Sequence, residues 1–372
     1  MTPPLRILIT GGGTGGHVYP GLAVAEALQD LAPAAEIRFA GTKGGLEAVL
    51  VPEAGYRLCT VPASGLRGLG HRARLLFVVN FLRGFARSLG LMTGWRPSAV
   101  LGTGGFVSAP VMAAARVLAV PCALQEQNAI PGSTNRLVGR WARRIYLGFG
   151  PAASYFGAAR CRLTGNPVRA AFVGATRNVG AGELDDFGVP GRRVLVFGGS
   201  RGARTINRAL ASGGVPDGAA CLVQTGEADH ATVQEAIASD EVRVVPYIRQ
   251  MAAALLWADL VVCRAGAMTL AELGVVGRAA ILVPFPHATD NHQWHNARDI
   301  EKAGAALVLD DAECDGPRLR ALISNLLADS ERLRSMAAAA ATLGQPEAAG
   351  QIARDLLEMV GHPAGQRYTT TS

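Results

Sequence analysis

Two parallel-sheet domains of the α/β class are predicted by three observations. The succession of strand, glycine loop and helix occurs twice, strand-like runs alternate with helical patterns after each occurrence, and the chain is too long for one core. Its 372 residues exceed the roughly 250–300 at which a single hydrophobic interior stops growing. Hydrophobic residues make up 49% and charged residues 17%, which supplies large interiors and excludes wholesale disorder. The 46 glycines beside 6% aromatics predict many tight turns and close backbone approaches.

The first domain opens with an apolar run at residues 5–10, followed by Gly11-Gly12-Gly13-Thr14-Gly15-Gly16-His17 and a helical stretch over 21–31. Strand, glycine turn and helix in this order begin an open sheet of Rossmann type. Further strands are predicted at 36–40, 99–101, 122–125 and 145–147. The device recurs at 193–197, with Gly198-Gly199-Ser200-Arg201-Gly202-Ala203 and a helix through Leu210. Strands follow at 220–224, 242–245, 260–263 and 280–283, and helical patterns between most of them complete the alternation of βαβ units. The breaker cluster Gly165-Asn166-Pro167 divides the chain into domains 1–168 and 169–372. The second carries a linker-like surface segment over 169–191, a C-terminal helix and a frayed polar tail at 361–372. Ligands of such sheets lie beyond the carboxyl ends of the strands, so two Rossmann-like domains facing each other across a cleft are expected to bind there.

Glycines at a strand-to-helix turn let backbone N–H groups approach an anion, which the helix N-terminus also favours. Gly11-x-Gly13-x-x-Gly16 fits the dinucleotide fingerprint, yet the second strand ends Phe39-Ala40-Gly41-Thr42-Lys43 without the acid that would hold a ribose. Glu36 stands at the wrong end of that strand, and no Lys-Ser or Lys-Thr follows the glycines as in a Walker loop. A third cluster, Gly102-Thr103-Gly104-Gly105-Phe106, follows the strand at 99–101. It is either a tight turn or part of the same sheet edge. Three such loops suit a ligand with several phosphates.

Charge is distributed unevenly. Residues 1–168 hold 17 Lys/Arg against 6 Asp/Glu, a net +11, whereas 169–372 hold 19 against 23, a net −4. A basic half points to a phosphorylated ligand or an anionic membrane surface; nucleic acid is not expected, because no motif for it occurs. Residues 72–87 read as a basic amphipathic helix. At about 100° per residue Phe77, Phe81, Phe85, Val78 and Leu82 share one face, with Arg72, Arg83, Arg87 and Asn80 opposite. Such a helix suits an anionic bilayer, supported by Arg140, Arg143 and Arg144 beside Trp141; a surface helix with its phenylalanines in the core is the alternative. No apolar run reaches the ~18 residues of a spanning helix, and the N-terminus has no signal-peptide core, so a cytoplasmic protein is expected. The six cysteines are scattered without a C-x-x-C pair or a zinc-site spacing, which predicts reduced core thiols and no metal.

The motifs become specific in combination. Gly-Gly-Gly-Thr-Gly-Gly-His (11–17), Glu126-Gln127-Asn128, Gly165-Asn166-Pro167-Val168-Arg169 and Gly198-Gly199-Ser200-x-Gly202-Ala203 occur in that order. They continue with Cys263-Arg264-Ala265-Gly266-Ala267-Met268-Thr269-Leu270-Ala271-Glu272 and Asp290-Asn291-His292-Gln293 through Asn296-Ala297. The succession, over residues 5–360, resembles the MurG family of transferases, which add N-acetylglucosamine to the lipid-linked muramyl-pentapeptide precursor of peptidoglycan. The resemblance implies a GT-B fold, an inverting reaction and no cofactor. It implies UDP-GlcNAc as donor and undecaprenyl-diphosphate-linked N-acetylmuramyl-pentapeptide as acceptor (lipid I to lipid II). It also implies a peripheral place on the cytoplasmic side of the inner membrane, on its anionic leaflet, and cell-wall synthesis proteins as further partners. An inverting transfer needs a base and a stabilised diphosphate leaving group but no protein nucleophile, and neither a Ser-His-Asp set nor a glycosidase-type carboxylate pair is evident.

Carried residue by residue, the resemblance makes the second domain the donor half. Ser200 and its loop would touch the UDP diphosphate, with Arg169 adding charge or else forming a hinge salt bridge. Glu272 would hold the ribose hydroxyls, although Thr269-x-x-Glu272 also reads as a capping box. Ile248 would meet the uracil or lie in the core. Met268 and Thr269 fall on the donor loop, and His292 and Gln293 would read sugar hydroxyls or be helix-start polar residues. The first domain becomes the acceptor half, with Gly13, Thr14, Gly15, Gly16, Gly104 and Gly105 around the acceptor diphosphate. Thr14, Gly15 and Asn128 would also touch the donor. His17 is the candidate base, or a histidine capping a glycine loop; Glu126 is a second candidate, Asn128 would hold acceptor or donor sugar groups and Tyr19 would pack in the cleft. Gln125 stands where the family commonly has His, and Phe106 where Tyr is frequent. A UDP-GlcNAc 2-epimerase, a glycolipid synthase or a non-catalytic membrane adaptor are the competing readings.

Overall fold

The computed structural model describes residues 4–65, 71–178, 191–199, 202–288 and 291–362, without the side chains of 71–74 and 175–178. It divides into one unit of residues 1–169 with 346–372 and another of residues 170–345. Ser200, the side chain of Arg72 and the tail beyond His362 therefore lie outside the described residues.

The first unit runs β1 (Arg6–Gly11), α1 (Gly15–Leu31), β2 (Glu36–Gly41), α2 (Glu47–Glu53), β3 (Arg57–Thr60) and α3 (His71–Trp95). It continues with β4 (Ala99–Gly104), α4 (Ser108–Val117), β5 (Cys122–Glu126), α5 (Ser133–Val138), β6 (Arg144–Leu147) and β7 (Cys161–Leu163). The second unit holds α6 (Ala170–Asn178), β8 (Arg192–Phe197), α7 (Arg204–Gly213), β9 (Ala219–Gln224), α8 (His230–Ala236), β10 (Val242–Val245) and α9 (Met251–Trp257). After these come β11 (Leu260–Cys263), α10 (Ala267–Val276), β12 (Ala279–Leu282), α11 (His292–Lys302), β13 (Ala306–Val308), α12 (Gly316–Ala328) and α13 (Ser330–Leu343). The last helix among the described residues is α14 (Ala348–Met359).

The two sheets are ordered β3-β2-β1-β4-β5-β6-β7 and β10-β9-β8-β11-β12-β13, with all the named pairings parallel. In each, strand order reverses beside the first strand, between β1 and β4 and between β8 and β11, which is the Rossmann switch point and bears out the predicted class. Interior strands such as β4, β5 and β9 are buried at every residue because helices cover both faces, and such strands read as continuous apolar runs. All ten predicted strands are present. The additional β3, β7 and β13 are short sheet edges of three or four residues, and β3 and β7 lack a continuous apolar run.

Three expectations are corrected. The C-terminal helix does not join the second domain: α14 packs on α1, and Ile352, Ala353, Leu356 and Leu357, with 0% exposure, complete the first core beside Ile7, Val24 and Leu28. Tyr146 Oη donates to Asp355 Oδ2 at 2.7 Å, and Arg144 Nε stands 3.3 Å from the same oxygen, fastening α14 to β6. Arg169 also falls in the first unit.

The second correction concerns the faces of α3. Phe85 packs into the core with Met92 and Trp95, and Phe77 and Phe81 are half-buried, with ring centroids 6.5 Å apart. Asn80, placed on the polar side, donates instead to Ser64 Oγ at 3.3 Å. Gly84 fixes this face because a Cβ there would lie 2.2 Å from the Pro62 carbonyl, so the helix seats through its small residues. The exposed face carries Leu75, Leu76, Val78, Val79 and Leu82, from 38% to 66% exposed, with Arg83 and Arg87 also exposed. Third, residues Leu75–Trp95 are by length and composition apolar enough to cross a membrane, with mean hydropathy 1.4 and 17% of that window buried.

Candidate functional site

In the first unit the ends of β1 and β4 meet at His17. α1 starts at Gly15 behind an extended Thr14 whose side chain makes no capping bond, so the first N–H groups of the helix point outward as donors. The neighbouring loops are locked together. Gly12 N donates to Gly104 O at 3.3 Å, and Ser108 Oγ donates to Thr10 O at 3.0 Å and Gly104 O at 2.8 Å. Gly105, at φ +80, approaches so closely that a Cβ would lie 2.3 Å from Gly12 O. The β1–β4 register skips a residue at Thr103, a bulge that turns the Thr103 carbonyl out of the ladder. His17 Nδ1 meets that carbonyl at 3.1 Å. A carbonyl can only accept, so Nδ1 carries the hydrogen and Nε2 is the basic nitrogen of the neutral ring. Gly104, at φ +106, leaves room for the imidazole, since a Cβ there would stand 2.6 Å from Nδ1.

The sequence reading missed Glu47, which lies 34 positions from Gly13 and carries no local signal. Its Oε2 accepts from Gly13 N at 2.9 Å, and its Oε1 accepts from Thr42 N at 2.9 Å and Thr42 Oγ1 at 2.6 Å. Burial opposes the charge, but these bonds outweigh it and hold the carboxyl below its usual range. A Cβ on Gly12, Gly41 or Gly45 would collide with the Glu47 side chain at 2.3, 2.5 and 2.1 Å. These glycines thus make room for an internal carboxylate, and the Gly13 N–H is already engaged.

Glu126 is wholly buried at the end of β5. Oε1 accepts from Asn128 N at 2.9 Å and Asn128 Nδ2 at 3.2 Å, and Oε2 accepts from Asn135 Nδ2 at 2.8 Å. Burial pushes its pKa up against these bonds. It anchors Asn128, which is half-exposed, to α5. Arg169 lies over the Tyr19 ring at 4.3 Å, and Tyr19 borders Gly15, whose Cβ would be 3.0 Å from its ring. Phe106, 36% exposed, flanks Gly13.

In the second unit the glycine loop is held by backbone and amide contacts. Gly202, at φ +74, packs its Cα so tightly that a Cβ would lie 1.8 Å from Thr225 O. Gln224, buried and also missed, donates Nε2 to Gly199 O at 2.8 Å and accepts from Ile248 N at 3.2 Å, joining the loop to the segment after β10. Ile248 is half-exposed rather than buried in the core. α10 starts behind Gly266, with Thr269 its third residue and no side-chain cap, so Thr269-x-x-Glu272 is not a capping box. Glu272, 7% exposed, lies in the second turn near Cys263, whose thiol burial and the Glu272 charge push up. Met268 is buried and Thr269 half-buried. Gln293 Oε1 accepts from Phe285 N at 3.0 Å, His292 is half-buried at the start of α11, and Asn291 caps that helix at φ +53. Arg264 forms an ion pair with Asp311, which also accepts from Thr205 Oγ1 at 3.1 Å; this ties the end of β11 to the start of α7.

A family model described as glycosyltransferase family 28 N-terminal domain matches residues 7–147, and one described as glycosyltransferase family 28 C-terminal domain matches 193–352. The UDP-N-acetylglucosamine--N-acetylmuramyl-(pentapeptide) pyrophosphoryl-undecaprenol N-acetylglucosamine transferase of Myxococcus xanthus is 40% identical, over 98% of this chain and 96% of its own. The protein of that name from Anaeromyxobacter sp. is 42% identical, over 97% and 96%. The crystal structure of Acinetobacter baumannii MurG is similar with a TM-score of 0.74 and 29% identity, covering 95% of this chain and 99% of that one.

Proposed function

The chain belongs to glycosyltransferase family 28, within its MurG members, and from that premise we propose that it transfers N-acetylglucosamine from UDP-GlcNAc to undecaprenyl-diphosphate-linked N-acetylmuramyl-pentapeptide. The observation that carries the chemistry is the His17 ring, set by the Thr103 carbonyl at the N-terminus of α1. A fixed imidazole beside outward N–H dipoles combines a base with an anion site.

The reaction is a single displacement. His17 Nε2 takes the proton of the acceptor hydroxyl as its oxygen bonds to the anomeric carbon. The bond from that carbon to the UDP oxygen breaks, the electron pair leaves with the diphosphate, and the configuration inverts. The N–H groups of Thr14, Gly15 and Gly16 hold the acceptor diphosphate, with Gly104 and Gly105 lining it; Gly13 supports the loop through Glu47 instead. Glu126 acts by holding Asn128, since its oxygens accept from Asn128 and Asn135, and Arg169 lends positive charge beside Tyr19. In the second unit the loop of Gly198 to Ala203, with Ser200, receives the UDP diphosphate. Ile248 meets the base, Glu272 the ribose hydroxyls, Met268 and Thr269 border the donor, and His292 and Gln293 read the sugar.

The exposed face of α3, with Leu75, Leu76, Val79 and Leu82 beside Arg83 and Arg87, supports a peripheral position on the anionic cytoplasmic leaflet. Radiolabelled transfer from UDP-GlcNAc to a short-chain lipid-linked muramyl-pentapeptide tests the reading, with Glu272→Ala alongside. Transfer by the parent and a loss of about 100-fold in the folded variant are expected, the scale of a lost charged hydrogen-bond acceptor. Folded parent protein that transfers nothing in the presence of lipid sinks it.

A further inference from the structure

The Thr103 carbonyl has two lone pairs, and both meet side-chain donors: His17 Nδ1 at 3.1 Å and Gln127 Nε2 at 2.6 Å. Gln127 is 2% exposed, and its Nε2 also reaches Gln125 Oε1. Gln125 Nε2 in turn donates to Asn166 Oδ1 at 2.9 Å, and Asn166 Nδ2 donates back to the Gln127 carbonyl at 2.9 Å. A closed circuit of buried amides therefore ends on the carbonyl that orients the imidazole. Asn166 belongs to the segment by which the chain leaves the first unit three residues later.

The circuit has a cost that shows what it maintains. Gln127 Oε1 is buried with no hydrogen-bond partner, a penalty of about 1–3 kcal/mol for a neutral acceptor. Turning the amide over would place that oxygen against the Thr103 carbonyl, so the penalty is accepted to keep a donor there. The carbonyl needs holding because Thr103 stands between Gly102 and Gly104, and Gly104 is at φ +106. Next to a glycine at positive φ, the peptide plane after Thr103 has little intrinsic preference for the direction the imidazole requires.

We infer that Gln127 is a positioning residue for the transfer, acting on His17 through the Thr103 carbonyl, and that Asn166 sets Gln127. The inference rests on the reading of His17 as the base. With Gln127 in place the peptide presents an acceptor to Nδ1 and the base is Nε2; without it the peptide turns and the proton divides between the two nitrogens.

The test uses the full-length protein with Gln127→Met, which keeps length and burial but cannot donate. Asn166→Asp, which replaces the donor to Gln127 O by a carboxylate oxygen, keeps the test alive if the first variant does not fold. Nitrogen-15 spectra of the histidine rings, assigned with His17→Gln, report the tautomer of His17. Turnover is measured with UDP-GlcNAc and the short-chain lipid-linked muramyl-pentapeptide. Expected for Gln127→Met are a mixed tautomer in place of a pure Nδ1–H form, a fall in kcat of about tenfold, part of the 10²–10⁴ that a positioned base supplies, and an unchanged KM for the donor. Asn166→Asp shifts both in the same direction by a smaller amount. A folded variant whose His17 keeps the Nδ1–H form and whose kcat is that of the parent overturns the inference. A mixed tautomer with parental turnover upholds the positioning of His17 and removes His17 as the base, so the two failures are separable.

Discussion

The two glycine loops have the same origin in the sequence and different interiors. In the first, Gly12, Gly41 and Gly45 surround the Glu47 carboxylate, which accepts from Gly13 N. In the second, Gly202 makes room for the Thr225 backbone carbonyl, and the loop is held by Gln224. One loop is shaped around a negative charge of its own, the other around main chain. A glycine-rich turn is therefore not by itself a phosphate cradle. The first spends an N–H on the protein and leaves anion binding to the start of α1, whereas no carboxylate takes the described N–H groups of the second.

The sharpest way to break this comparison is to add a methyl group to each loop. Gly202→Ala meets immovable backbone at φ +74 and is expected to destabilise the second unit by about 3 kcal/mol or more, read as a lower calorimetric transition. Gly12→Ala meets only a side chain, so Glu47→Ala made with it should restore part of the lost stability. Equal rescue of Gly202→Ala by Glu47→Ala would show that the two loops do not differ as described.

Glu47→Gln comes next in size. Its single oxygen cannot serve both Gly13 N and the two Thr42 donors, so the loop shifts. Steady-state transfer assays are expected to give about 100-fold lower kcat/KM for the acceptor, the cost of a small misplacement, with the donor KM unchanged. A matching change in donor KM would break the division of labour between the loops. For α3, Leu75→Glu with Leu82→Glu should weaken sedimentation with anionic vesicles about tenfold and leave the melting temperature alone. Phe85→Glu should do the reverse, because Phe85 packs in the core.

The smallest effect is a pH dependence. The bonds from Gly13 and Thr42 hold the Glu47 carboxyl below its ordinary value of about 4.5, so the unfolded chain takes up its proton first as pH falls. Its stabilisation is full above about 4.5 and is lost as pH drops through the folded value. The melting-temperature gap between parent and Glu47→Gln should therefore narrow below about pH 4.5. Glu126 has the opposite sign: burial raises its pKa, so the folded state takes up that proton first, and stability rises as pH falls from the folded towards the unfolded value.

Ten strands were legible because buried parallel strands are continuous apolar runs, such as Val194 to Phe197 and Leu260 to Cys263. Of the three others, the short β3 and β7 hold Arg57 and Arg162 in place of a continuous apolar run, and β13 is only three residues long. The residues of the candidate site followed the same division. His17, Glu126 and Glu272 stood out as ionisable groups within quoted motifs, whereas Gln127 and Gln224 are uncharged amides whose importance lies in what they bond. Periodicity placed Phe77, Phe81 and Phe85 on one stripe of α3. Which stripe faced solvent depended on Gly84 meeting Pro62.

The sequence by itself determined the class, the duplication, the family and the positions of the strand ends, because those follow from local composition and from motifs read in order. Only the tertiary structure decided that α14 returns to α1, that Glu47 fills the first loop, and that the Thr103 carbonyl sets the tautomer of His17. Each of these joins groups between 34 and several hundred positions apart, and contacts at such separations arise from packing and shared hydrogen bonds that no local pattern encodes.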